Sequence, residues 1–199
     1  MSARDSTRAA AAAGNGLTLV LGGARSGKSA WAIANAARPG ERLLLVATAE
    51  PLDDCMSARI REHRRARPPG WDTLEEPLRV AERLEALDRA YDVIVLDCLT
   101  MLLSNWMLAR TCAGEPEWRG DREAIAARMT RLVAALRGRA ARATVISNEV
   151  GTGIVPEAEI ARRYRDALGI ANQALAEAAD RVLLMVAGIP VSVKGAEIP

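Results

Sequence analysis

"LVLGGARSGKSAWAI", residues 19–33, decides the fold. Gly22, Gly27, Lys28 and Ser29 satisfy G-x-x-x-x-G-K-[ST], and the motif stands between an apolar run and a helical pattern, where a phosphate loop has to stand. Residues Gly22, Gly23, Ala24, Arg25, Ser26, Gly27, Lys28 and Ser29 form that loop. Its glycines let backbone amides converge on phosphate oxygens, and the helix that follows points its positive end at the same charge. Lys28 is one of only two lysines in the 199 residues. It would reach the β- and γ-phosphates, while the Ser29 hydroxyl would hold Mg²⁺. A Gly-rich turn with no ligand is the plain alternative, and the flanking strand and helix weigh against it.

Outward from the loop the chain alternates. "LTLVLG" (17–22), "RLLLVAT" (42–48), "YDVIVLD" (91–97), "ATVISNE" (143–149) and "RVLLMVAG" (181–188) are short apolar runs of the kind buried on both faces of a parallel sheet. Helical patterns over 28–37, 53–67, 76–89, 99–110, 121–137 and 157–179 lie between or beside them. Such βα alternation predicts a mainly parallel sheet with helices on both faces. Loops are expected at "ARPGE" (37–41), "RPPGW" (67–71) and "CAGEPEWRGD" (112–121), each marked by Gly and Pro.

Composition bounds the rest. Residues 17–199 suit one domain with a full core, and the Ala-rich residues 1–16 read as a disordered extension. That extension lacks the apolar stretch of a secretory signal, so a cytoplasmic protein is expected. With no Phe and 3% aromatics, the core must be aliphatic. The three cysteines, Cys55, Cys98 and Cys112, form no C-x-x-C pair, which argues against a disulfide framework or structural zinc. No apolar run approaches the roughly 20 residues of a membrane span. A net charge of +2 gives little support to a polyanionic partner.

Asp97 closes the third apolar run and is placed to serve the metal directly or through water. By itself it could be an ordinary polar strand terminus; beside the phosphate loop, the metal reading is favoured. The unusual segment is "LDDCMSARIREHRRARP", residues 52–68. Asp53 or Asp54 can cap a helix there. Leu52, Met56, Ile60 and His63 recur on one helical face, and the helix should stop before Pro68. His63 is the only histidine and is surrounded by Arg59, Arg61, Arg64, Arg65 and Arg67. A lone histidine ending an apolar stripe is commonly just packed, and the arginines could be a solvated face or a nucleic-acid patch. The chemical reading is that a neutral imidazole attacks phosphorus, while arginines neutralise the triphosphate and the departing pyrophosphate. Neighbouring cations would also keep the ring unprotonated.

Taken in order, "GGARSGKS" (22–29), "ATA" (47–49), "RIREHRRARP" (59–68), "DCLT" (97–100), "NEVGTGIVP" (148–156) and "RRYRDALGIANQ" (162–173) resemble the bifunctional adenosylcobinamide kinase/adenosylcobinamide-phosphate guanylyltransferases of cobalamin biosynthesis. The resemblance runs from residue 17 to about 194. It implies a RecA-like P-loop fold and two reactions. ATP or GTP phosphorylates adenosylcobinamide, then GTP donates GMP to that phosphate through a GMP–histidine intermediate. The intermediate's histidine falls on His63, which with Lys28 makes the expected catalytic pair. The nucleotide contacts fall on 22–29, on Ala47, Thr48 and Ala49, and on Arg64, Arg65, Ala66 and Arg67. Two acids join them: Glu75, in "WDTLE", and Asp97. Ser29 and Asp97 are the expected Mg²⁺ ligands. The resemblance also implies a small oligomer, typically a trimer, with a small-molecule corrinoid as substrate and no nucleic-acid partner.

Asn148 and Glu149 are read as ending the fourth apolar strand, where ligands bind in open α/β sheets. Gly151 and Gly153 fit close approach to a ligand or subunit, or simply a turn. Arg162, Arg163 and Arg165 could meet a substrate phosphate or only solvate a helix. Two rival readings stay open. One is a kinase with a structural His63. The other is a RecA-like ATPase bound to nucleic acid, for which the low net charge and scarce aromatics are unfavourable.

Overall fold

The computed structural model describes residues 16–36, 38–50, 54–65, 67, 69–109 and 120–195, without the side chains of Cys55, Arg59 and His63. The extension before Gly16, Leu52, Asp53, Ala66 and Cys112 lie outside the described residues. Among the described residues there are seven strands: β1 (Gly16–Gly22), β2 (Leu43–Ala47), β3 (Asp72–Glu75), β4 (Tyr91–Asp97), β5 (Ala140–Ile146), β6 (Arg181–Val186) and β7 (Ile189–Lys194). They form one sheet in the order β3-β2-β4-β5-β1-β6-β7. All neighbours are parallel except β6 and β7. The expected mainly parallel sheet is therefore present, with β1 and its phosphate loop inside it rather than at an edge.

Six helices are described: α1 (Lys28–Ala36), α2 (Asp54–Arg65), α3 (Val80–Glu85), α4 (Leu99–Leu108), α5 (Arg122–Arg139) and α6 (Glu159–Ala178). Alternation along the strands sorts the core onto two faces. Leu44 and Val46 of β2, with Ile94 and Leu96 of β4, join the larger cluster with Leu84 of α3, Leu102 of α4, Leu132 of α5 and Leu168 of α6. Leu43, Leu45, Val93 and Val95 point the other way, onto Ala32 and Ala36 of α1. The small alanines let α1 lie close to the sheet, which fixes where the phosphate loop emerges. Asp121 caps α5 by accepting from the Ala124 N–H at 2.7 Å.

The structure departs from the sequence reading in several places. The helix expected over 76–89 is only Val80–Glu85. Ahead of it, the Glu76 carboxylate accepts from the backbone N–H of Leu78 (3.0 Å) and Arg79 (2.9 Å), so residues 76–79 are held in a side-chain-closed turn. The expected run 181–188 is shorter, because Ala187 (φ 50°) and Gly188 (φ 85°) turn the chain into the unforeseen β7. The run 143–149 ends as strand at Ile146. Beyond it the Asn148 N–H turns to the Thr100 hydroxyl at 3.0 Å, so the ladder is interrupted by a side chain. Among the described residues, no helix is long and apolar enough to cross a membrane.

Candidate active site

The phosphate loop is shaped by positions where a side chain would not fit. Gly27 has φ 94°, and a Cβ there would come within 3.1 Å of the Gly188 Cα in the β6–β7 turn. Gly22 is tighter still, since its Cβ would lie 2.7 Å from the Met185 carbonyl oxygen. Arg25 takes up a left-handed conformation at φ 57°. The Gly188 N–H donates to the Ser26 carbonyl at 2.9 Å, so the hairpin turn braces the loop from behind. Lys28 is buried, and its ammonium donates to the Gly23 carbonyl at 2.6 Å and the Ser26 hydroxyl at 3.4 Å. It curls over the loop interior, which is where the motif places it against phosphate. Ser29 follows in the first turn of α1.

Beside α1 a cleft opens over the carboxyl ends of β2 and β4. Ile33, Leu45, Ala47, Ala49 and Met101 give it an apolar floor, and Met56, Ile60 and Arg64 line it from successive turns of α2. Arg67, Glu75, Asp97, Cys98, Thr100 and Asn148 complete it. The arginines and Glu75 form one ionic cluster. Arg64 donates to both Glu75 oxygens, at 2.9 and 2.6 Å, and Arg67 Nη1 donates at 3.1 Å. The Arg64 hydrogen bonds hold the Glu75 carboxyl below the usual carboxylate range, against some burial, and Arg67 adds to the effect. Arg67 Nε is buried with no hydrogen-bond partner among the described residues, a donor without an acceptor in the cleft wall. Burial, and then the Asp97 charge, push the Cys98 thiol up to about 11. A raised thiol pKa disfavours the thiolate, the nucleophilic form.

Of the residues expected to meet nucleotide, the cleft gathers Ala47, Ala49, Arg64, Arg67, Glu75 and Asp97. The phosphate-loop residues 22–29 are not part of its lining. Thr48 is fully buried and belongs to the scaffold: its hydroxyl donates to the Cys98 carbonyl at 2.7 Å and accepts from the Cys98 N–H at 3.0 Å. Arg65 is exposed on α2. His63 is on α2 between Ile60 and Arg64, with its side chain outside the described residues. Arg162 fastens a loop rather than facing the cleft, donating to the Pro156 carbonyl at 3.0 Å. Arg165 lies 3.6 Å from Asp166, and Arg163 is exposed.

Some parts of the site carry little sequence signal. Asn105 is buried on α4 and donates to the carbonyls of Thr48 (2.8 Å) and Pro77 (2.9 Å), joining that helix to the end of β2 and to the turn before α3. Asn172 is buried on α6 and plays the same part for Ser147, Asn148 and Glu149. Each spans more than twenty residues of sequence, so neither shows in local spacing. The Ala187–Gly188 turn did carry a signal, a Gly between two β-prone runs, which is the mark of a tight hairpin.

Comparison with known proteins adds the family. The model of the cobinamide kinase / cobinamide phosphate guanyltransferase family matches residues 18–193. The chain is 43% identical over 177 residues to the bifunctional adenosylcobalamin biosynthesis protein CobP of Pseudomonas aeruginosa, covering 89% of this chain and 96% of that one. It is 40% identical over 181 residues to the bifunctional adenosylcobalamin biosynthesis protein CobU of Escherichia coli, covering 89% and 99%. The CobU protein of Salmonella typhimurium is 41% identical over 182 residues, at the same coverage. Among solved structures, a RadB recombinase aligns over 85% of this chain and 73% of that one, with 18% identity and a TM-score of 0.46. With a phosphate loop on β1, an acid at the end of β4 and a family match running from the first strand to the last, the chain belongs to the cobinamide kinase / cobinamide phosphate guanyltransferase family.

Proposed function

We propose that this chain phosphorylates adenosylcobinamide with ATP or GTP, and then transfers GMP from GTP to the product, releasing pyrophosphate and adenosylcobinamide-GDP. The observation that carries this reading is the cleft. It is lined by Ile60 and Arg64, the neighbours of His63 along α2, and by Asp97 at the end of β4. A nucleotide in that cleft would meet side chains of the helix that carries His63 and the Asp97 carboxylate. The buried Arg67 Nε offers a donor for one of its oxygens. His63 is the residue we assign to attack the α-phosphorus. Its ring nitrogen forms the P–N bond as the bond to pyrophosphate breaks, and the acceptor phosphate then displaces the histidine.

Ser29 and Asp97 present hard oxygen donors, the kind Mg²⁺ takes together with substrate phosphates and water, so the donor set fits that ion. Bound there with a triphosphate, Mg²⁺ would offset charge on the β- and γ-oxygens. Lys28 does the same from the chain itself and orients the γ-phosphoryl group. Ala47, Ala49 and the apolar floor suit the face of a purine, and Arg64, Arg67 and Glu75 suit its polar edge or ribose. The enzyme is further proposed to be cytoplasmic, from its sequence composition, and a homotrimer, by likeness to the family.

Incubation with GTP and Mg²⁺, followed by intact-mass measurement, tests the covalent step. The wild-type chain should gain the mass of one GMP, in an acid-labile, base-stable bond that decays when adenosylcobinamide phosphate is added. His63→Ala should form no adduct and no adenosylcobinamide-GDP, while keeping substantial kinase activity. An adduct on His63→Ala would show that another residue is the nucleophile.

A further inference from the structure

We infer that Glu149 is the general base of the phosphorylation step, an inference that rests on the kinase reading above. The chain beyond β5 does not leave the sheet at once. Val20 and Ile146 are paired in register, the Ser147 N–H donates to the Val20 carbonyl at 2.9 Å, and the Glu149 N–H donates to the Gly22 carbonyl at 3.1 Å. Glu149 is thereby fixed beside the first residue of the phosphate loop, on the side of β1 that faces β4 and Asp97.

Its side chain is held as firmly as its backbone. Asn172 Nδ2 donates to Glu149 Oε1 at 3.0 Å and to the Asn148 carbonyl at 3.0 Å. Asn172 is itself buried, and its Oδ1 accepts from the buried Ser147 hydroxyl at 2.7 Å. That chain fixes the amide so that the carboxylate meets N–H rather than carbonyl oxygen. The three acids around the site then divide by partner. Glu75 is neutralised by two guanidinium groups. Asp97 fits the metal. Glu149 has no Lys or Arg partner among the described residues. A carboxylate committed to a cation is a poor proton acceptor, so Glu149 is the acid suited to the task. The residues after it, Gly151–Val155, are exposed, and Ile154 is 97% exposed, which leaves this flank accessible to a bulky acceptor.

The step balances without a further reactant. The acceptor hydroxyl gives its proton to a Glu149 carboxylate oxygen as its own oxygen bonds to the γ-phosphorus. The bond from that phosphorus to the β–γ bridging oxygen breaks, and the nucleoside diphosphate leaves with the electron pair. Guanylyl transfer needs no such base, because its acceptor is already an ionised phosphate.

Glu149→Gln keeps the shape of the side chain and an oxygen for Asn172. It should lower kcat for adenosylcobinamide phosphorylation about 10²–10³-fold. KM for the triphosphate should stay within about threefold, and GMP-adduct formation from GTP should match wild type. Retained adduct formation also reports that the variant is folded. Phosphorylation within about fivefold of wild type, equal loss of both activities, or recovery of the kinase rate with excess Mg²⁺ would each overturn the assignment. A wild-type chain that forms the adduct but phosphorylates nothing would overturn the kinase reading itself, and Glu149's role with it.

Discussion

The phosphate loop and the α2 cleft are two ways of building a binding site. The loop is local: eight consecutive residues, shaped by Gly22, Gly27 and Arg25, hold Lys28 against the Gly23 carbonyl. The cleft is collected from α1, β2, α2, β3, β4, α4 and the segment after β5, and its ionic wall joins residues eight and eleven positions apart. A local site is rigid through its backbone and has few ways to vary. A collected site depends on every element that carries it, and each wall can be altered on its own. That difference predicts which substitutions damage both reactions and which damage one.

The largest effect belongs to the loop. Both reactions use a triphosphate, so Lys28→Ala should reduce adenosylcobinamide phosphorylation and GMP-adduct formation together, each by about 10²–10³-fold, the loss typical of one preorganised donor to a developing charge. Steady-state assays of the two reactions on one preparation check this. Phosphorylation within threefold of wild type would break the comparison, because the loop would not be serving the γ-phosphoryl group.

Next comes the brace behind the loop. Gly188 has φ 85° and donates its N–H to Ser26. Gly188→Val forces a β-branched residue into left-handed backbone, which costs about 1–3 kcal/mol. The melting temperature should fall by about 2–10 °C for a chain of this size. Both activities should fall in parallel and by less than in Lys28→Ala. Loss of one activity alone would place the β6–β7 turn in the collected site instead.

The same contrast governs what could be read before any coordinates. The loop and Asp97 were legible because their signal is short-range: a glycine spacing, and an acid closing an apolar run. The buried strands were legible because burial on both faces leaves continuous Val, Leu and Ile. Strand β3 was not, since "DTLE" offers one apolar residue at a sheet edge. Strand β7 was hidden by Pro190 and by valines at 191 and 193 that stay exposed, which mimic the end of a core. The wrong length of the 76–89 helix came from Glu76, whose carboxylate closes a turn that periodicity cannot register. In the site, the roles of Asn105 and Asn172 and the burial of Thr48 depend on partners up to 57 residues away. No window along the sequence contains those contacts.

The smallest effect tests the ionic wall. Glu75 is about half exposed, and Arg64 more so, which leaves their contact open to water and salt. The carboxyl is held below its usual range by the Arg64 hydrogen bonds first. A carboxyl depressed by folding stabilises the native state at pH values above its ordinary titration, and that contribution fades as pH falls through the native value. Wild type should therefore melt only about 1–3 °C above Glu75→Gln near neutrality, with a gap that is flat from about pH 6 to 8 and closes below about pH 4. Raising NaCl to about 1 M should narrow the gap at neutral pH, since exposed pairs are screened. A gap that survived both acid and salt would mean that Glu75 acts through packing, and the wall would then be as rigid as the loop. Closure of the gap would leave Arg64 and Arg67 as groups that a bound nucleotide can draw away from Glu75, at little cost to the fold.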